Sequence, residues 1–242
     1  MSASLTKNAR LLCLCGLRHT RASLSPPEFA QTLAQAFLGE DLPPHFIPAG
    51  NELTWSRGSI SLALQLQAVL TELTISHYIT GGVAAATYGE PRTTRDLDMV
   101  ISLPLAQLDR LVQRLESEGF YVPGVEDIRS GRLKTLSITH QETIARADLM
   151  VSGASSFDQE QFTRRLAVEI PGQGTLYLVS PEDLILNKLL WGSVSQSEKQ
   201  WRDVVGILKV QQQDLDLGYL TGQAERLQLS APLTQAMTEA GL

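Results

Sequence analysis

Cysteine is almost missing from this chain: Cys13 and Cys15 are the only two among 242 residues. Their Cys-x-Cys spacing is poor for a disulfide, and two ligands alone do not make a structural zinc site. Both therefore read as free thiols in a reducing compartment. No apolar run approaches the roughly 18 residues that cross a bilayer, so no membrane is expected and the location reads as cytoplasmic. Positive charge is also in short supply. A net charge of -6 argues against a general nucleic-acid binder, which is usually basic, while leaving room for a local basic groove. Internal repeats, low-complexity segments and long polar tracts are missing too. What is present is enough to fold: 43% of the residues are hydrophobic, and 242 residues suit one large domain or two small ones.

The charge is unevenly placed. Residues 1–27 contain Lys7, Arg10, Arg18 and Arg21 and no acid, together with Ser2, Ser4, Ser23, Ser25 and the apolar run Leu11 to Leu17. That composition resembles a transit or poor signal peptide; a flexible tail or an upstream extension without function fits it as well. Residues 24–39 read as a short helix after Ser25-Pro26-Pro27, and 40–58 as a linker marked by Pro43-Pro44, Pro48 and Gly50. Residues 1–58 are thus an N-terminal extension, poorly specified and with room for partial disorder.

From Ile60 the signals sharpen. Leu62, Leu66, Val69, Leu70 and Leu73 form a helical stripe, and Tyr78 to Thr80 is a short strand feeding Gly81-Gly82. The segment 97–103 reads as a buried strand. Pro104 opens a helix through Leu115 that Gly119 closes, and short strands are expected at 120–122, 133–138, 144–151, 166–170 and 175–179. Ser180-Pro181-Glu182-Asp183 is a strong helix start, with a capping serine, proline in the first turn and acids favoured by the dipole. Helices are expected over 184–191, 198–210 and 217–240. The fold class is α/β (α+β): a mixed sheet flanked by helices over 59–179, then a helical region over 180–242 packing on it.

The segment richest in chemistry runs from Gly81-Gly82 to Asp96-Leu97-Asp98. Two Asp at spacing two in a strand project from one side, where they repel and are costly to bury without partners. Divalent ions relieve that repulsion, and two ions bridged by carboxylates clamp a phosphoryl group during transfer. A Gly-Gly turn before a helix lets backbone amides approach phosphate oxygens. A third carboxylate is expected on a neighbouring strand, and Asp148 within Ile144 to Val151 is the candidate. Two readings of Asp148 stand side by side: a member of that triad, or an acid at a sheet edge paired with Arg146 or Arg95.

On the Gly-Gly, the run Arg92-Thr93-Thr94-Arg95-Asp96-Leu97-Asp98, and the later Pro181-Glu182-Asp183-Leu184-Ile185 with Lys188, the chain resembles the polymerase-beta-like nucleotidyltransferase superfamily. The resemblance is strongest to its small bacterial members, the minimal nucleotidyltransferases and abortive-infection type toxins, and covers roughly residues 60–210. It implies that Gly81 and Gly82 hold a nucleoside triphosphate, with Arg92, Thr94, Arg95 and Lys188 as further nucleotide-binding residues. Asp96, Asp98 and Asp148 would bind magnesium, with two ions expected and manganese as a substitute. Lys188 and Arg202-Asp203 match a lysine and an Arg-Asp pair near the family's active site, with Asp203 positioning Lys188 or the acceptor hydroxyl. The implied activity moves a nucleoside monophosphate from an NTP to a hydroxyl and releases pyrophosphate. One magnesium would lower the pKa of that hydroxyl and the other would bridge the triphosphate. The acceptor would be an RNA 3′ end such as that of tRNA, a protein side chain or a small molecule.

This chain departs from the pattern in two places: Ser193-Val194-Ser195-Gln196-Ser197 spans a gap where toxin-like members carry an arginine, and Gly82 stands where relatives often have serine. Alternative functions are a catalytically degenerate binding or regulatory module, and the toxin of a toxin–antitoxin pair with a cognate antitoxin as partner. Other residues keep structural readings beside functional ones. Lys188 and Asp203 also suit a solvated salt bridge, and Arg92 and Arg95 suit neutralisation of the Asp pair without metal. Trp191 and Trp201 read as core, and His77 and His140 as ordinary surface or core histidines.

Overall fold

The computed structural model describes residues 57–90, 94, 96–170, 173–195 and 197–242, all within the unit Leu53–Leu242; the helix expected at 24–39 lies outside them. Helix α1 (Arg57–Glu72) carries the stripe of Leu62, Leu66, Val69 and Leu70, all buried against the sheet. Strand β1 (His77–Thr80) runs straight into α2 (Gly81–Tyr88), and β2 (Leu97–Ile101) follows. A single 3₁₀ turn leads into α3 (Leu108–Ser117), whose Leu108, Leu111 and Leu115 are buried. Strand β3 (Phe120–Tyr121), the short α4 (Val125–Arg129), β4 (Thr135–His140) and β5 (Arg146–Val151) come next. After α5 (Ser156–Arg164), the hairpin of β6 (Leu166–Ile170) and β7 (Gly174–Leu178) completes the sheet. Helices α6 (Pro181–Ser195), α7 (Glu198–Gln211), α8 (Leu217–Arg226) and α9 (Ser230–Ala240) close the chain.

The strands form one mixed sheet of seven in the order β3-β4-β5-β2-β1-β7-β6. Each strand expected between residues 78 and 179 is present, within one or two residues at most ends. Two short helices, α4 and α5, stand where only connections were expected. Both are opened by local features rather than by an apolar stripe: α5 has a full capping box in which Ser155 and Asp158 exchange bonds.

One sheet face, with Ile79, Met99, Ile101 and Leu149, is buried within the main hydrophobic core, and α1 runs across β1, β2 and β7. On the opposite side α2 contacts both α6 and α7, so the C-terminal helices adjoin the helix that follows β1. The start of α6 is anchored from both ends of its first turn. Ser180 Oγ accepts from the Asp183 amide at 3.1 Å, as the capping signal predicted. Asp183 stands in the first turn, where the dipole favours an acid, and is fully buried. Tyr219 Oη donates to it at 2.7 Å, and Arg164 lies over the Tyr219 ring while bonding Glu182 at 3.1 Å. This cluster ties α8 to α5 and α6. No helix among the described residues is long and apolar enough to cross a membrane.

Candidate active site

The site grows from the junction of β1 and α2. Thr80 is the last strand residue, and Gly81 turns the chain directly into the helix at φ +62°, a left-handed conformation that glycine adopts without a steric cost. Space imposes the same choice. A Cβ on residue 81 would overlap the Asp98 carboxylate. Asp98 sits opposite Thr80 in the antiparallel β1–β2 pair, and its Oδ2 accepts from the Gly82 amide at 3.2 Å. The glycine pair thus serves two purposes, a sharp strand-to-helix entry and close approach of a carboxylate to the helix's first amides.

On its other side β2 runs parallel to β5, and the register places Asp98 directly opposite Asp148. Strand β5 is interior, flanked by β2 and β4, so the sheet-edge reading of Asp148 does not hold; nor does Asp148 pair with Arg146. Thr80, Asp98, Asp148 and Ser137 form one row across four strands on a single face. Burial pushes the Asp98 carboxyl above the usual carboxylate range. The charges of Asp148 and Asp96 push the same way, and the Gly82 amide and the Lys188 ammonium act against them.

Asp96 is placed differently from the expectation that it shares a strand face with Asp98. It precedes β2 in a bend and is exposed. Strand β1 ends at Thr80, opposite Asp98, so residue 96 has no partner on that side. Among the described residues no three His, Cys, Asp or Glu side chains gather into a group that could hold a metal ion. Asp98 and Asp148 are neighbours, and Asp96 stands outside their row. Thr94 is half-buried, its hydroxyl donating to the Asp96 carbonyl at 3.4 Å. Arg92 and Arg95 lie outside the described residues.

Lys188 on α6 and Asp203 on α7 form an ion pair at 2.8 Å, and Lys188 Nζ also donates to Gln200 Oε1 at 2.8 Å. Both side chains are buried, which overturns the solvated-salt-bridge reading. Arg202, adjacent in sequence, is exposed. An apolar cavity of about 340 Å³ adjoins Lys188 between α6, α7 and α9, lined also by Leu189, Trp201 and Pro232. Trp201 packs against the core, with its indole N–H bonded to Glu239. Trp191 does not, being 48% exposed. His77 is a buried core histidine held by the Ile75 carbonyl, and His140 packs edge-on against Phe120.

Sequence reasoning passed over the residues beyond the carboxylate row. Tyr78, Val100 and Met150 line a second cleft with Gln161 of α5 and Asn187 and Trp191 of α6. Only the strand alternation hinted at the first three; nothing in the sequence brings α5 over them.

No protein-family model matches the chain, and no curated protein matches it. Solved structures do resemble it. The antibiotic-resistance factor ANT(2″)-Ia aligns over 75% of this chain and 98% of its own, with 14% identity and a TM-score of 0.50. The chain has the nucleotidyltransferase fold. An antigenic nucleotidyltransferase-like protein from Paracoccidioides brasiliensis is 22% identical over 76% of this chain and 94% of its own, at a TM-score of 0.48. The lincosamide antibiotic adenylyltransferase LnuA is 13% identical over 65% of this chain and 99% of its own, at 0.44. In this nucleotidyltransferase fold the glycine pair, β2 and β5 are the elements that position the carboxylates.

Proposed function

We propose that the protein is a metal-dependent nucleotidyltransferase that moves a nucleoside monophosphate from an NTP to a hydroxyl acceptor. The observation that carries this reading is the register of Asp98 with Asp148 beside the first amides of α2. Two carboxylates side by side, one of them with its charged form disfavoured by burial, suit a hard divalent cation. Asp98 and Asp148 would hold such ions, with Asp96 turning in from its exposed bend. Two magnesium ions, or manganese in their place, would supply Lewis acidity toward the acceptor hydroxyl and neutralise charge on the triphosphate.

The chain's own groups do the rest. Gly81 and Gly82 would bring backbone amides to phosphate oxygens at the start of α2, the Gly82 amide exchanging Asp98 for the phosphate, and Lys188 offers a cation fixed in direction by Asp203 and Gln200. Arg92, Thr94 and Arg95, on the segment just before β2, complete the phosphate contacts in this reading. The acceptor oxygen forms a bond to the α-phosphorus. The bond from that phosphorus to the bridging oxygen breaks, pyrophosphate leaves with the electron pair, and the hydroxyl proton passes to Asp148 and then to water. The fold shared with ANT(2″)-Ia supports this reading.

Purified protein incubated with α-labelled NTPs, magnesium and mixed acceptors (total RNA, lysate protein and small molecules) tests the proposal. Label transfer that disappears in Asp98→Asn is the expected result. Nucleotide binding with no transfer to any acceptor would sink it.

A further inference from the structure

Strand residues on one face recur every second position, so the Thr80, Asp98 and Asp148 row is followed by a row of Tyr78, Val100 and Met150 about 7 Å along the strands. Helices α5 and α6 stand over this second row. Between them and the sheet lies a cleft of about 190 Å³ that also reaches Thr80, the strand partner of Asp98. Its volume is below the ~300 Å³ typical of drug-sized sites, so it takes a small molecule or one end of a larger one.

The polar centre of the cleft is Gln161, only 2% exposed. Its Oε1 accepts from Tyr78 Oη at 3.1 Å and from Asn187 Nδ2 at 2.7 Å. Two donors converging on that oxygen fix the orientation of the carboxamide. The Nε2 end makes no hydrogen bond among the described residues. A held amide with unspent donors beside a cleft is a recognition element for a ligand oxygen. Val100, Met150, Leu190 and the half-exposed Trp191 supply the apolar wall.

Charge narrows the ligand further. No lysine or arginine is among the described residues that line the cleft. The one lining acid, Asp158, is committed to the cap of α5, accepting from the Ser155 amide and hydroxyl. A nucleic-acid backbone would find no cation here, and a polycation no uncommitted carboxylate.

Resting on the nucleotidyltransferase reading, we infer that this cleft is the acceptor site and that it takes a neutral, partly apolar hydroxylated small molecule. A carbonyl or similar oxygen of that molecule accepts from Gln161 Nε2, its apolar part lies against Met150 and Trp191, and its hydroxyl points along the strands to Asp98 and Asp148. The hydroxyl then reacts as written above.

The test uses the full chain with α-labelled NTP and magnesium, offered three acceptors separately: neutral N-acyl amino alcohols, a polyamino sugar, and a short RNA with a free 3′ hydroxyl. Labelling of the amino alcohols is expected. In Gln161→Glu, whose carboxylate still accepts from Tyr78 and Asn187, their KM should rise about tenfold or more with the NTP KM unchanged. Trp191→Ala, on an exposed position, should do the same. Tryptophan fluorescence without NTP reads binding separately: quenching by the amino alcohols in the wild type, lost in Trp191→Ala, supports the assignment. Labelling of only the RNA or the sugar, an unchanged KM in Gln161→Glu, or quenching by NTP that competes with the amino alcohols overturns it and leaves nucleotidyl transfer standing. Binding of both ligands without any transfer overturns the nucleotidyltransferase reading instead, while the neutral-ligand assignment of the cleft survives on the fluorescence result.

Discussion

Gly81 and Asp98 are so closely packed that a methyl group on residue 81 would occupy the space of the Asp98 carboxylate. A backbone choice at the end of β1 and the placement of a chemical group on β2 are therefore one arrangement.

Gly81→Ala is expected to lower unfolding stability by about 2 kcal/mol or more, from left-handed strain plus the displaced carboxylate. Urea denaturation measures the first effect, and NTP titration the second. NTP affinity in this variant should fall even where the protein remains folded.

Asp98→Asn is expected to stabilise the metal-free protein at neutral pH while abolishing transfer. Burial raises the folded-state pKa of Asp98 above its unfolded value. The wild type is therefore not penalised below the unfolded pKa of about 3.9, becomes less stable as pH rises toward the folded value, and carries the whole cost above it. The stability gap between Asp98→Asn and wild type, followed by denaturation in EDTA, should open over that window and then level off. A gap constant with pH would contradict the burial argument.

Magnesium or manganese should raise the melting temperature of the wild type and have little effect on Asp98→Asn or Asp148→Asn. At a hundred times the dissociation constant, binding to the native state alone adds about 2.7 kcal/mol. Calorimetry against metal concentration reads this without any turnover.

Lys188→Met should cost about 3–5 kcal/mol, because Asp203 is left buried without its cation. Lys188→Met combined with Asp203→Leu should recover part of the loss, since the uncompensated charge is gone. A double-mutant cycle by urea denaturation gives the coupling, and neither variant should transfer nucleotide.

His77 is kept neutral chiefly by burial; the Ile75 carbonyl opposes this and the Arg165 charge adds to it. With the folded pKa below the unfolded value near 6.5, the unfolded chain binds a proton first, so His77 makes stability fall as pH drops below about 6.5. His77→Gln should remove that slope below pH 6.5.

Much of this molecule was legible in advance. Period-two and helical patterns marked the strands from Tyr78 to Leu178 and the helices on either side, and Ser180 capped α6 as read. Asp98 and Asp148 stood out as acids inside apolar strands, a placement that local sequence alone makes costly. Asp96 falls one residue outside β2, because strand ends depend on where the partner strand stops, here at Thr80 for β1, while its charge still acts on Asp98. The burial of Lys188 with Asp203 was equally out of reach. Fifteen residues apart on two helices, they pair only because α6 and α7 pack together.

The sequence by itself determined the elements, the glycine entry to α2 and the acids available for chemistry, because these follow from neighbouring residues and short periodicities. The tertiary structure alone decided that β5 lies parallel to β2, that Asp148 therefore faces Asp98, and that Gln161 of α5 stands over Tyr78. Those relations join residues 50 and 83 positions apart. They are set by which surfaces bury one another best, a property no local window of the chain contains.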